Sequence, residues 1–212
     1  MTKKILFNDR YGLTEAVLSG KKTQTRRMIN VPRTFKGVYV SGFRLARNQL
    51  GDYYSYLIDE NEFEIEGSYL KPQYGVGEIV AIAQSYKEID DKEDYNSIYS
   101  GCPLANSFCN SAGWKNKMFT RSNVMPHQIE ITGVRIERLQ DISDEDCIKE
   151  GVEFMRTQCK SLIYGFKDFL KDVWLWRKTP KEAYQLLISR ISSRKMWDEN
   201  PFVFVYEFKL VK

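Results

Sequence analysis

The run Gly20-Lys21-Lys22-Thr23-Gln24-Thr25-Arg26-Arg27 is the most charged and least core-like stretch of this chain. If a strand begins near Thr23, Thr25 and Arg27 point to one face, and Gln24 and Arg26 to the other. Gly20 lets the backbone leave a preceding helix in a left-handed conformation, and Lys22 can bend back over the mouth of the sheet. One short segment then offers an amine, a hydroxyl and a guanidinium to a single ligand. The same pattern also reads as a solvated turn followed by a charged edge strand, which Lys and Arg often protect.

A second basic stretch holds Trp114, Lys115, Lys117 and Arg121. It reads either as a surface that stacks a base and neutralises phosphate, or as a tryptophan covering one end of the fold among solvated lysines. Trp174, Trp176 and Trp197 read as packing or lid residues. His127 follows Pro126 at a strand entry, where no Ser or Cys partner is indicated. Cys147 reads as small apolar filling in a short helix. The acidic run from Asp90 to Asp94 lacks glycine-organised calcium-loop spacing and reads as solvated loop.

The elements that must position these groups follow from spacing. Lys4 to Phe7 predicts a short strand. TEAVLS predicts a helix with Thr14 as N-cap and Gly20 as its stop, and Thr23 to Ile29 a strand that ends before Pro32. The alternating runs at 53–58 and 63–70, joined by Asp59-Glu60-Asn61, predict a hairpin. EIVAIAQSY predicts a strand with Ile79, Ala81 and Ala83 on one face. Residues 88–116 read as a long surface loop. From His127 to Arg138 a strand is expected, with Ile129, Ile131, Gly133 and Arg135 on one side and Val134 and Ile136 on the other. Ser143 and Asp146 predict a capping box for a helix that ends at Gly151. Residues 161–176 are amphipathic and aromatic. Pro180 opens a helix with a stripe of Ala183, Leu186, Leu187 and Ile191. FVFVYEFKL, apolar on both faces early on, suits a buried strand.

Strands mixed with helices, without a repeating βαβ rhythm, predict an α+β fold around a compact barrel. The length of 212 residues suits a single domain, 1–212, with a sizeable core. Apolar residues at 42% and charged residues at 28% exclude a disordered chain, while 14% aromatics favour strands and flat-ligand pockets. The net charge of +4 permits a polyanionic partner without requiring one. Four cysteines without a C-x-x-C pair, and a single histidine, argue against a zinc site, so no metal and no cofactor are expected. MTKKILFNDR carries no apolar run of signal-peptide length, and no stretch is long enough to cross a bilayer. A cytoplasmic setting with no membrane partner is expected.

LTEAVLSGKKTQTRR resembles the signature of ASCH domains, a short helix followed by G-x-K-x-x-E-x-R. Gly20, Lys22 and Arg27 match it, and Thr25 stands where the signature has glutamate. GVGEIVAIAQSY, RIERLQDISDEDCIKEGV and WDENPFVFVYEFKLV resemble the family's later strands and helix, in the family's order. The wording of the last two is similar to phage and prophage members. The resemblance implies a PUA-like small β-barrel with peripheral helices, and leaves 36–72, 88–115 and 153–178 as insertions. Lys22-x-x-Thr25 is also similar to the catalytic motif of the N4-acetylcytidine amidohydrolases of this fold. Matching the later helix carries their glutamate onto Glu150. The resemblance thus implies Lys22, Thr25 and Glu150 as catalytic residues, with Gly20, Lys21, Arg26 and Arg27 around the ligand. A threonine hydroxyl needs a base, and a lysine crowded by cations and partly buried becomes one. Three functions follow as expectations: an amidohydrolase on N-acylated pyrimidine nucleosides, a non-catalytic RNA- or modified-base-binding module, or a phage accessory protein acting through protein contacts.

Overall fold

The computed structural model describes residues 3–29, 31–47, 53–90, 110–192 and 195–211. Its strands are β1 (Lys4–Ile5), β2 (Gln24–Met28), β3 (Thr34–Phe35), β4 (Val38–Tyr39), β5 (Gly42–Arg47), β6 (Tyr53–Ile58), β7 (Glu64–Leu70), β8 (Ile79–Ile82), β9 (Gln128–Arg138), β10 (Glu153–Arg156), β11 (Leu162–Asp168), β12 (Val173–Arg177) and β13 (Phe202–Leu210). The helices are α1 (Leu13–Leu18), α2 (Tyr86–Asp90), α3 (Asp144–Lys149), α4 (Pro180–Ile191) and α5 (Lys195–Glu199). The architecture is α+β, mostly sheet.

The central sheet runs β1-β8-β9-β13-β2, with β1 parallel to β8 and the other pairs antiparallel. No backbone pairing joins β2 to β1 among the described residues, so the sheet is open. The Arg27 guanidinium links the two edges by donating to the Leu6 carbonyl. Three further antiparallel sheets are built from β3–β4, β5–β7 and β10–β12. The β6–β7 hairpin turns on Asp59, whose carboxylate accepts from the backbone N–H of Asn61 and Phe63, at 2.9 Å each. That is how a short polar side chain closes a turn.

The main core gathers Val80, Ile82, Ile129, Ile131, Tyr206 and Phe208 with Phe7 and Tyr74. Both faces of β13 are covered, since Val203 and Val205 on one side and Tyr206 and Phe208 on the other are all buried. Burial on both faces explains the run without polar alternation. Ala81 and Ala83 face a second cluster with Tyr86, Ile89 and Met125.

Several expectations change. The N-cap of α1 is Gly12, in left-handed conformation at φ 66°, while the Thr14 hydroxyl donates to Asp9. A β-bulge opposite Glu207 and Phe208 takes Thr132 out of register. The alternation resets there, so Val134 and Ile136 share the core face with Ile131, and Arg135 turns to the other side. The Ser143 hydroxyl caps α3 at Asp146 N, yet the Asp146 carboxylate goes to arginines. Ile191 is 39% exposed, and Tyr184 takes its place in the buried stripe of α4. Helix α2 occupies the start of the expected 88–116 loop and a 3₁₀ turn at Ala112–Trp114 lies near its end, while residues 91–109 lie outside the described ones. Among the described residues no helix is long and apolar enough to cross a membrane.

Candidate active site

Lys22 is set where two helix ends meet. Gly20, at φ 72°, lets the chain turn out of α1, and Lys22 N donates to Ala16 O at 2.8 Å. One residue on, Thr23 N donates to Lys149 O at 3.0 Å and Thr23 O accepts from Phe208 N at 2.9 Å, tying the loop to α3 and β13. The Lys22 ammonium then donates to Glu150 twice, to its carboxylate at 2.6 Å and to its backbone carbonyl at 2.7 Å. Gly151, at φ 104°, gives the space: a Cβ there would press on Leu13 Cδ2 at 3.0 Å and lie 3.7 Å from Lys22 Cδ.

Both side chains of this pair are almost without water, at 1% and 6% exposure. Burial pushes the Lys22 amine below its usual range. Glu150 opposes that shift, and the charges of Arg27 and Arg26 add to it.

Glu150 also accepts from Arg26 at 3.1 Å. Arg26 continues to Glu137 through Nε at 2.8 Å, to Asp146 at 2.9 Å and to the Gln24 carbonyl oxygen at 2.7 Å. Arg135 joins Glu137, Asp146 and Glu207. Burial disfavours the Arg26 charge, but Glu150 first among its neighbours holds it protonated more firmly than a free guanidinium. Strand alternation makes this layer, with Gln24, Arg26, Arg135, Glu137 and Glu207 on one face of the sheet. Tyr184 from α4 is buried among them, and its hydroxyl has no hydrogen-bond partner among the described residues. Burial, and then Glu150, raise its pKa well above that of a normal phenol.

Thr25 and Arg27 occupy the opposite face. Thr25 sits across from Tyr206 and is 5% exposed, and its hydroxyl has no hydrogen-bond partner among the described residues. The Phe7 ring lies 5.8 Å from the Lys22 ammonium and 5.9 Å from the Arg27 guanidinium. The amine of the loop and the cation of the strand thus share one aromatic ring.

The structure thus brings Lys22 and Glu150 into contact across 128 positions of sequence. Thr25 is buried on β2, on the face opposite the contact of Arg26 with Glu150. All three lie beneath the surface. Cavities of about 260 and 190 Å3 next to them are lined by Lys21 and Gly151, the chain neighbours of Lys22 and Glu150.

The remaining expected ligand contacts divide. Arg26 is committed to three carboxylates inside the protein and faces no open space. Lys21 is exposed and pairs with Glu153 at 3.2 Å. Lys117 is held at 2.6 Å by Asp9 and donates to the Phe7 carbonyl, which makes it a strut under the Phe7 loop. Trp114 packs partly buried against the Ala81–Tyr86 cluster, as a cover for that end of the sheet. Lys115 and Arg121 are exposed. Sequence reasoning missed Phe7, Glu137, Arg135 and Tyr184. Glu137 and Arg135 alternate with core residues on β9, and only the bulge decides their face. Tyr184 follows the apolar stripe of α4, which carries no polar signal.

Compared with known protein families, curated proteins and solved structures, the chain matches none of them. Among the described residues, no group of three His, Cys, Asp or Glu side chains is placed to hold a metal ion.

Proposed function

We propose that this chain is an ASCH-type protein with a PUA-like barrel that handles a modified pyrimidine nucleoside, and that it hydrolyses an N-acyl group from it. The single observation that carries the reading is the buried contact of Lys22 with Glu150, with the Thr25 hydroxyl three residues along the chain from Lys22. In low dielectric an ammonium–carboxylate pair gains from passing its proton across and becoming neutral. A lysine whose pKa is lowered by burial can then serve as a base.

The steps balance as follows. Lys22 takes the Thr25 hydroxyl proton as Oγ1 bonds to the acyl carbon. The C–N bond breaks, and Glu150, carrying a proton, delivers it to the leaving exocyclic amine. Glu150, now a carboxylate, takes a proton from water as its oxygen adds to the acyl carbon; Lys22 returns its proton to Thr25 Oγ1 as that C–O bond breaks, and the acyl group leaves as a carboxylic acid. Arg27, fixed at Leu6, favours the developing negative oxygen from the same face of β2.

The burial of all three side chains favours a second reading, in which the same place binds a modified base without turnover. Hydrolysis of N4-acetylcytidine, followed by ultraviolet absorbance, separates them. Lys22→Met, Thr25→Val and Glu150→Gln should each lower the rate by at least about 100-fold, and Thr25→Ser should keep part of it. Full activity in all three loss variants rejects the hydrolytic scheme. Binding of cytidine or N4-acetylcytidine with no turnover in the unaltered chain supports the second reading.

A further inference from the structure

A wide cavity lies away from Lys22. It is a groove of about 1130 Å3 between the β11–β12 hairpin and the helices α4 and α5. Arg10, Arg177, Lys178 and Arg190 line it, together with Trp176 and Tyr11. Arg10 is neutralised by Asp168 at 2.7 Å. Arg177, Lys178 and Arg190 are exposed and make no ion pair among the described residues. That sets them apart from Lys22, Arg26 and Arg135, whose charges are met within the protein. Two carboxylates, Glu182 and Asp198, share the lining, and Glu182 already accepts from the Lys178 backbone N–H at 3.2 Å. The groove keeps an excess of positive charge.

Aromatic faces complete it. Trp174 and Trp176 stand on the same side of β12, with ring centroids 4.7 Å apart and planes 9° from parallel. Trp174 remains 40% exposed. Trp176 lines the groove, while Trp174 lines the 190 Å3 cavity that reaches Lys21 and Gly151, with Tyr11 common to both. The stacked pair therefore sits between the basic groove and the flank of Lys22 and Glu150. Unpaired cations next to flat exposed rings suit a flexible chain of phosphates and bases. The groove exceeds what one nucleoside fills, since drug-sized ligands occupy about 300–1,000 Å3.

We propose that this groove binds a single-stranded nucleic acid, with Arg177, Lys178 and Arg190 on phosphates and the Trp174–Trp176 stack receiving a base. It names a strand as the substrate of the proposed site and rests on that reading for turnover alone. The groove makes its contacts whether or not Lys22 acts on anything. The β10–β12 meander that builds it is the stretch beyond the ASCH-like motifs.

The test is fluorescence anisotropy of the full chain with end-labelled oligo-U RNA and oligo-dT DNA, about twelve nucleotides long, across a salt series. Binding should weaken with salt at a slope of about −2 on a log–log plot, from three phosphate contacts at about 0.7 each. R177E/K178E should weaken it by about tenfold or more and flatten that slope. W176A should weaken binding by about fivefold or more and reduce quenching of intrinsic tryptophan fluorescence. Lys71→Glu, an exposed charge change away from the groove, should leave affinity as it was. Preference for RNA over DNA at equal length identifies the natural strand. Absence of binding, equal affinity for duplex, or affinity unmoved by R177E/K178E in a variant of unchanged thermal stability overturns the proposal. Failure of N4-acetylcytidine hydrolysis leaves this binding result standing, and loss of strand binding leaves hydrolysis of the free nucleoside as it was.

Discussion

Lys22 carries an ammonium to a place where water cannot follow, and it is held there by one carboxylate and one carbonyl. Removing one member of such a pair leaves a charge in low dielectric. Lys22→Met should therefore lower stability by about 3 kcal/mol, less if Arg26 takes over Glu150, as read by urea unfolding. Asp146 makes a second test. Burial resists its charge, but the Arg26 hydrogen bond and the nearby Arg135 and Arg26 charges outweigh that and hold its pKa below the usual carboxylate value. Its stabilising contribution is present above the unfolded value of about 3.9 and is lost as pH falls through the folded one. Unfolding free energy should thus drop on acidification below about pH 4, and Asp146→Asn should flatten that slope. The two described thiols differ as sharply: burial pushes Cys147 up to about 12, while Cys159 is exposed. Iodoacetamide at pH 8 should modify Cys159 and spare Cys147 until the chain is unfolded, as mass spectrometry of the peptides would report.

Single positions decide whether some elements can form at all. Gly165 of β11 lies opposite Trp176, and a Cβ there would collide with the Leu175 carbonyl and with the Trp176 ring at 2.8 Å. Gly165→Ala should open the β11–β12 pairing, lowering stability by about 2 kcal/mol and increasing near-ultraviolet tryptophan mobility in fluorescence anisotropy. The other elements were legible to different degrees. The hairpin at 53–70 could be read because alternation and an Asp-led turn agree locally. The faces of β9 could not, because a bulge is a property of the pair: it arises where β13 puts Glu207 and Phe208 against Gly133 and Ile131. The same bulge decides that Arg135 joins the ion network. The cap of α1 was misplaced for a similar reason, since a left-handed glycine closes the turn that Thr14 only braces.

At the scale of the molecule, the cores are unequal. β9 and β13 share the main cluster, whereas β5–β7 rest on a small one of Val40, Leu57 and Ile65, joined to the rest through Phe43 and Leu70. Local opening follows buried contact. Amide hydrogen exchange should accordingly be slowest in β9 and β13 and fastest, among sheet residues, in β3–β7. Equal protection across both regions would show that the satellite cluster opens only with the whole fold. The arrangement also brings the β10–β12 sheet, which builds the Trp174–Trp176 groove, to the side of Lys21, where Glu153 pairs with it.

Composition, alternation and caps were enough to establish an α+β chain with its main strands, three of its helices, and a short run from Gly20 to Arg27 rich in reactive groups. These are local properties, set by side chains within a few residues of one another. Whether the amine at 22 meets the carboxylate at 150, and whether Arg26 faces a ligand or three acids, depended on how sheet and helices close over each other. Burial decides charge states, and burial is a sum over residues far apart in the chain. The basic groove likewise stands out only once Arg177, Lys178 and Arg190 are seen to gather in space around one hollow.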